Sequence, residues 1–355
     1  KIIFLLIAGL TLSSFSSTLK AQTLQDIRVD LVYLASDYLA GRETGKEGEK
    51  MAAAYLSHRL EEMGLLPKGD EGKFTQTFEV EFKKNPHAAE GETRTAHNVV
   101  AYMDNGAETT VVIGAQYDHI GKGDFGSRHT GEPDIHNGAD DNASGTAALL
   151  YIAERLKKSD LKGNNYLLIG FSGEEMGLFG SKHFVNNPTI DLSSVNYMLN
   201  MDMVGRLDEE NNLIINGAGT SAVWKERFEQ IEAPALKIKT TDSGIGASDH
   251  TSFYLKDIPS IHFFTGTHED YHKPEDDSEL INFEGIQKVA DWMYALIENL
   301  DDQGKLEFSK TKDENTRKAS RFKVTLGVMP DYAYSDGDGM RIDAVLDDRP
   351  AKKAG

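Results

Sequence analysis

The sequence predicts an α/β fold of three layers, in which a central, mostly parallel mixed sheet is covered by helices on both faces. Short apolar runs that are typical of buried strands alternate with longer segments whose apolar residues recur at helical spacing. Strands that alternate with helices favour such a sheet. With 39% hydrophobic residues and only 9 prolines in 355 residues, the chain has the composition of a folded protein.

The first 21 residues have the layout of a secretory signal peptide. Lys1 precedes an apolar run from Ile2 to Leu12, and a Ser-rich stretch follows that ends at Ala21. The apolar run is shorter than the roughly 18 residues that a membrane span needs, so no transmembrane segment is expected. Residues 1–21 are therefore predicted to be a signal peptide, and the protein is expected to be secreted or periplasmic.

Residues 22–300 carry the predicted sheet and its helices. Helices are predicted between Lys46 and Met63, from Ser144 to Lys157 and from Phe283 to Leu300, and Gly64 is placed to end the first. Ligands of parallel sheets collect where strands end. The predicted strands are Thr110 to Ala115, Tyr166 to Phe171, Tyr197 to Met201, Leu213 to Ile215 and Ile258 to Phe264.

The composition changes after Leu300. The charged stretch 301–321 predicts a linker. Residues 322–355 resemble the opening strands and the first helix of a PDZ domain, and they are too few to close a complete one. We therefore expect an incomplete PDZ-like segment, through which a protein partner would bind.

Charge and cysteine content exclude several classes of function. The formal net charge of -19 opposes binding to nucleic acid and to anionic lipid, because like charges repel, so no nucleic-acid partner is expected. The chain contains no cysteine, which excludes disulfides, thiolate metal sites and cysteine nucleophiles. Any metal site must be built from His, Asp and Glu side chains.

Segments with clustered His, Asp and Glu residues lie at the ends of predicted strands. Each alone has an ordinary explanation, because an Asp-Asp-Asn run is commonly a turn or a helix cap. Together they favour a hydrolytic metal site, in which an uncoordinated glutamate takes a proton from water. The segments are Gln116 to His119, Gly138 to Gly145, Ser172 to Gly177, Asn200 to Asp202 and Asp270 to Pro274.

These segments resemble the zinc peptidase family M-28, the co-catalytic aminopeptidases whose relatives include glutamate carboxypeptidase and glutaminyl cyclase. The likeness runs from about Leu34 to Leu300 and rests on Gly-Ala-Asp-Asp-Asn-Ala-Ser-Gly, Ser-Gly-Glu-Glu-Met-Gly, Asn-Met-Asp and Tyr-His-Lys-Pro in this order. The resemblance implies a zinc aminopeptidase fold of the phosphorylase/hydrolase type. It also implies Zn²⁺ at two sites and peptide substrates with a free N-terminus.

The resemblance also implies roles for individual residues. Glu174 would be the general base. The metal ligands would be Asp141, which bridges both ions and has a cis peptide bond to Asn142, then Glu175 and His272 at one ion and Asp202 at the other. The predicted function is hydrolysis of N-terminal peptide bonds in the cell envelope or outside the cell.

One position departs from the family pattern. Gln116 stands where the family has a histidine ligand of the second metal, and its amide oxygen is a weaker zinc ligand than imidazole. Asp118, which orients that histidine in the family, loses its usual partner. Gln116 leaves three alternatives for the site: two metals with a weakened second site, one metal as in the glutaminyl cyclase relatives, or a site without turnover. The neighbouring His119 is expected to be structural rather than a replacement ligand.

Two further residues are candidates for contact with the substrate. Tyr271 would stack on or hydrogen-bond the substrate, with a packed aromatic ring as the alternative. Asp249 would line the pocket, with capping of a helix near Thr251 as the alternative. His262 is expected in the core, and no role is assigned to His268. The alternatives for the whole protein are a single-zinc enzyme like glutaminyl cyclase and a degenerate peptide-binding protein without catalysis.

Overall fold

The computed structural model describes residues 24–82, 91–232, 234–311, 328–330, 342–345 and 350–354. The predicted signal peptide, 1–21, lies outside the described residues. None of the helices in these ranges has both the length and the apolar character that crossing a membrane requires.

Nine strands of the described chain form one mixed sheet, whose order is β1-β3-β5-β4-β6-β9-β7-β8, with β2 also paired to β3. The four strands β5, β4, β6 and β9 run parallel to one another, and β3 and β7 flank them in antiparallel pairs. The strands are β1 Leu66–Pro67, β2 Thr75–Phe82, β3 Glu92–Met103, β4 Thr110–Gln116, β5 Asn165–Phe171, β6 Val195–Met201, β7 Asn212–Asn216, β8 Lys237–Thr240 and β9 Ser260–Phe264.

Helices cover both faces of this sheet. The helices are α1 24–34, α2 Glu47–Glu62, α3 Gly145–Lys157, α4 Phe179–Asn186, α5 Val223–Glu229, α6 His250–Tyr254 and α7 Phe283–Leu300, with a short 3₁₀ helix at Asp37–Arg42. One apolar cluster joins α1, α2, α3, α5 and α7 to one face, and a second joins α4 and α6 to the other. The predicted three-layer α/β class is confirmed.

The inner strands are buried on both faces because their side chains alternate between these two clusters. In β4, Val111 and Ile113 belong to the larger cluster, whereas Val112 belongs to the smaller one. All seven residues of β4 are buried, as are all seven of β5 and of β6. Continuous apolar runs are typical of strands with this environment, which is why the sequence predicts them well.

After α7 the described residues comprise a segment up to residue 311, a pair of short strands and a short helix. Residues 305–311 of the predicted linker lie against the domain: Leu306 is buried and its N–H donates to Asn196 Oδ1 at 2.8 Å, and the Ser309 N–H donates to the Thr220 carbonyl at 2.7 Å. Beyond them, β10 Val328–Pro330 pairs antiparallel with β11 Ile342–Val345, and α8 spans Pro350–Ala354. The PDZ-like segment stays a prediction, since most of 322–355 lies outside the described residues.

Arg42 joins three parts of the domain near the sheet edge. Its buried guanidinium donates hydrogen bonds to the carbonyls of Leu34, Tyr117, Asn137 and Gly138. These carbonyls belong to the end of α1, the residue after β4 and the loop that precedes α3. A single side chain thus links the end of α1 to the segments that carry Gln116 and Asp141.

We expect Arg42→Lys to lower the free energy of unfolding by about 3 kcal/mol, because lysine cannot pair all four carbonyls and each buried group left unpaired costs about 1–3 kcal/mol. Denaturant unfolding of the two proteins measures this difference. Arg227→Lys is the matched control, since the hydrogen-bond partners of Arg227 among the described residues are the side chains of Gln230, Asn299 and Gln303 near the surface. An equal loss in both variants would contradict the assigned role.

Candidate metal centre

Three neighbouring parallel strands bring the acidic segments to one edge of the sheet. Gln116 ends β4, Glu174 and Glu175 follow β5 after a turn at Gly173, and Asp202 follows β6 directly. Because β5, β4 and β6 are adjacent and parallel, their carboxyl ends open into the same crevice. Asp141 reaches this crevice from the loop between β4 and α3, and His272 from the loop after β9.

The loop that carries Asp141 has a tightly constrained backbone. Gly138 has a φ of 55°, and a Cβ atom there would lie 2.1 Å from the Asp141 carbonyl oxygen and 2.5 Å from a ring carbon of His119. Only glycine fits this position. The peptide bond between Asp141 and Asn142 is cis, as the family resemblance implied.

Three side chains converge at the centre of the crevice. His272 Nε2 lies 3.1 Å from Asp141 Oδ2 and 3.1 Å from Glu175 Oε2. Its other nitrogen, Nδ1, donates to the Gly126 carbonyl at 2.9 Å, which turns Nε2 towards the carboxylates. Burial lowers the pKa of His272, but the Glu175 and Asp141 carboxylates outweigh it and raise the pKa to about 11. The site strongly attracts positive charge at this point.

His119 contacts the centre through a hydrogen bond to Glu175. It is buried, and its Nδ1 lies 2.7 Å from Glu175 Oε1. Burial lowers the pKa of His119 to about 4, so the ring is neutral at pH 7, and Nδ1 must carry the proton that it shares with an ionised carboxylate. Ligand atoms of His119, Asp141 and Glu175 lie within 4.8 Å of one another.

The sequence predicts a structural role for His119, and its buried hydrogen bond to Glu175 fits that role. Strand β4 ends at Gln116, so the alternation of strand side chains does not extend to His119. Glu175 could not be recognised as its partner from the sequence, because the two residues are 56 positions apart.

The donor set fits a divalent cation such as zinc. Imidazole nitrogen and carboxylate oxygen are ligands that zinc accepts, and Asp141, Glu175 and His272 supply one such atom each. Buried carboxylates are costly unless a cation pairs with them. The pKa of Asp141 is raised well above its ordinary range by burial and by the Glu175 carboxylate, and a bound cation would oppose this shift.

Gln116 and Asp202 lie on the other side of Asp141. The Gln116 amide nitrogen donates to Asp202 Oδ1 at 3.1 Å and to Asp141 Oδ1 at a longer 3.4 Å. Burial raises the pKa of Asp202 to about 7, although hydrogen bonds from Ser248 and Gln116 oppose this shift. The candidate ligands of the second metal are thus joined by a neutral amide.

Glu174 stands beside the centre with its backbone fixed. Its N–H donates to Asp118 Oδ1 at 3.2 Å, while Thr44 Oγ1 donates to Asp118 Oδ2 at 2.8 Å. Asp118 therefore positions the loop that carries Glu174. Burial raises the pKa of Glu174 well above its usual range, and the carboxylates of Glu175 and Asp202 add to this. A carboxylate with a raised pKa is suited to accept a proton.

Asp249 and Tyr271 have different surroundings. Asp249 is buried at the start of α6, and its side chain makes no capping hydrogen bond to that helix. Burial, with the Asp202 carboxylate, raises the pKa of Asp249 to about 7. The Tyr271 ring stacks on His272 with centroids 3.9 Å apart, which fits the packed alternative.

Several further residues, whose roles the sequence does not predict, support the site. The Asp276 carboxylate accepts the backbone N–H groups of Asp140 and Asp141 at 3.0–3.1 Å, and His268 Nε2 lies 3.2 Å from Asp140 Oδ2. These contacts hold the Asp141 loop. His262 is buried as expected, and its Nε2 lies 4.0 Å from Asp202 Oδ2.

A doubly covered α/β sheet with acidic residues and histidines at the strand ends is the architecture of zinc-dependent exopeptidases. Residues 98–297, more than half of the chain, match the model of Peptidase family M28. The chain therefore belongs to peptidase family M28.

Individual relatives extend this comparison. Aminopeptidase YwaD of Bacillus subtilis is 34% identical over 172 residues, which cover 45% of this chain and 37% of the relative. Leupeptin-inactivating enzyme 1 of Streptomyces exfoliatus is 27% identical over 243 residues, which cover 68% of this chain and 48% of that enzyme. The chain therefore spans less than half the length of each of these two curated relatives. Glutaminyl cyclase of Porphyromonas gingivalis shares the fold, with a TM-score of 0.63 and 18% identity over 79% of this chain and 98% of that chain.

Proposed function

We propose that the protein is a zinc aminopeptidase that hydrolyses the N-terminal peptide bond of peptides. The observation that carries this proposal is the convergence of Asp141, Glu175 and His272 beside Glu174, a glutamate whose pKa is raised. Membership of peptidase family M28 supports it. Zinc, held by those three residues, would polarise the scissile carbonyl and lower the pKa of the attacking water.

Glu174 would transfer the proton in this reaction. Its carboxylate takes a proton from the attacking water and then gives it to the nitrogen of the leaving amine. The raised pKa of Glu174 suits both steps, because a stronger base also holds the proton until the amine needs it. Asp118 fixes the backbone from which the carboxylate works.

The charge of the crevice suits a substrate with a free amino terminus. Glu174, Asp202 and Asp249 lie around the centre, and burial raises the pKa of each because it disfavours the ionised carboxylate. An ammonium group would offset part of this unfavourable burial, whereas an acetylated terminus would not. We therefore propose peptides with free N-termini as substrates.

The test is a set of aminoacyl substrates incubated with the purified protein, with and without a chelator. Cleavage should stop with the chelator and return when zinc is added. N-acetylated versions of the same substrates should not be cleaved. A zinc-loaded protein that cleaves none of the free aminoacyl substrates would overturn the proposal.

A reaction like that of glutaminyl cyclase is the second candidate. In the family resemblance those relatives hold one metal, and here the amide side chain of Gln116 links the two carboxylates of the second metal position. Mass spectrometry of a peptide that begins with Gln separates the two reactions. An aminopeptidase shortens the peptide by one residue, whereas a cyclase removes ammonia and leaves the length unchanged. A peptide-binding protein without catalysis would bind the peptide and produce neither change.

The location and partners of the protein are also proposals. The signal-peptide pattern of residues 1–21 supports a secreted or periplasmic enzyme, and the PDZ-like pattern of 322–355 supports a protein partner. Fractionation of cells that express the full chain tests the first. Pull-down with and without residues 322–355 tests the second.

His119→Ala is expected to weaken zinc binding by about 10–100-fold, because residues that orient a ligand through a hydrogen bond contribute that much to metal affinity. His119 donates to Glu175 and would fix its second oxygen towards the ion. Competition with a coloured chelator measures the affinity. His183→Ala is the control, since His183 stacks on Phe78 instead. Unchanged affinity in His119→Ala would contradict this role.

A further inference from the structure

The carboxamide of Gln116 lies between the two carboxylates that a second metal would need. Its amide nitrogen is 3.1 Å from Asp202 Oδ1 and 3.4 Å from Asp141 Oδ1. Gln116 is 1% exposed, so water does not compete for these contacts. The two N–H groups of one neutral amide thus approach one oxygen of each acid, although the second contact is long.

The orientation of this amide is set by Asn142. Asn142 Oδ1 accepts the backbone N–H groups of Gly145 at 3.0 Å and Met203 at 3.1 Å. Since backbone N–H groups can only donate, the Asn142 oxygen must face them, and its Nδ2 must face the other way. Asn142 Nδ2 then donates to the Met201 carbonyl at 2.9 Å and to Gln116 Oε1 at 2.7 Å.

The consequence is that Gln116 presents hydrogen, not a lone pair, to Asp141 and Asp202. Turning the amide over would point its oxygen at the two acids but would place its NH₂ group against the NH₂ group of Asn142. That arrangement loses the 2.7 Å hydrogen bond and sets two donors face to face in a buried site. Gln116 is therefore held in the orientation in which it cannot act as a metal ligand.

We propose that the Gln116 carboxamide takes the place of a second cation, and that the protein binds one divalent ion, held by Asp141, Glu175 and His272. This inference rests on the proposed zinc peptidase function. Asp202 then contributes a hydrogen-bonded carboxylate to the wall of the crevice rather than a metal ligand.

The test is the number of zinc ions per chain, measured by elemental analysis and by calorimetric titration of chelator-treated protein. The natural sequence should bind one ion. Gln116→His should bind two, because imidazole supplies a lone pair next to Asp141 and Asp202 and removes the donor that occupied their oxygens. Two ions in the natural sequence, or one ion in folded Gln116→His, would overturn the inference.

Two further variants keep the test decisive if Gln116→His does not fold. Gln116→Leu, which cannot bind a metal, should still bind one ion, and so should Asp202→Asn. Loss of the ion from either variant would make Gln116 or Asp202 a ligand and would overturn the inference. No zinc at all in the natural sequence would instead refute the proposed function, so the two failures are distinguishable.

Discussion

Glu174→Gln is expected to lower kcat by about 10²–10⁴-fold, the range that general acid–base catalysis by one side chain contributes. Glutamine has the same shape as glutamate but cannot take the proton from water. The zinc content should not change, because the converging ligand atoms belong to Asp141, Glu175 and His272. Steady-state kinetics with an aminoacyl substrate and elemental analysis of the same sample measure both quantities.

The neighbouring residue supplies the matched control. Glu175→Gln makes the same chemical change one position along the chain, but Glu175 Oε2 faces His272 Nε2 and Oε1 accepts from His119. We expect this variant to lose both zinc and activity. If Glu174→Gln lost its zinc and Glu175→Gln kept it, the two roles would have to be exchanged.

The sequence predicts the fold best where an element is buried along its whole length or on one continuous face. Strands β4, β5 and β6 are buried on both faces and appear in the sequence as continuous apolar runs. The helix from Phe283 to Leu300 has the predicted bounds, because one apolar stripe faces the core along its whole length. The three-layer architecture follows from these elements.

Other strands were missed because their side chains are mixed. Strand β2 alternates buried and more exposed residues, and β3 places the polar residues Arg94 and Asn98 in buried positions. Arg94 pairs with Glu43, and Asn98 donates to Gln76 and to the Gly180 carbonyl. Partners so distant in sequence are not visible from a local pattern.

The acidic segments of the site were predictable from the sequence, but the environment of Gln116 was not. Glu174, Glu175 and Asp202 follow parallel strands, so the order of the elements predicts that they meet at the carboxyl ends of those strands. The direction of the Gln116 amide depends on Asn142, which is held by a backbone N–H of Met203 some sixty residues later. Which end of the Gln116 amide faces the two acids can be known only from the hydrogen bonds of the folded protein.

His272→Ala is expected to reduce zinc affinity by more than the roughly 100-fold that loss of an orienting residue causes, since it removes a ligand atom itself. Activity should fall to background at zinc concentrations that saturate the natural protein. His58→Ala is the control, because His58 is an exposed residue of α2 whose ion-pair partner in the described part of the chain is Glu62, far from the crevice in the chain. Equilibrium dialysis followed by elemental analysis measures the loss.

Thermal unfolding provides a readout of His272→Ala that does not depend on catalysis. A ligand that binds only the folded state stabilises it by about 2.7 kcal/mol at one hundred times its Kd, which for a domain of this size raises Tm by roughly 5 °C. Zinc should produce this rise in the natural protein and in His58→Ala, but not in His272→Ala. A zinc-dependent rise that survives in His272→Ala would place the ion away from Asp141 and Glu175, and the mechanism assigned to Glu174 would then lose its metal partner.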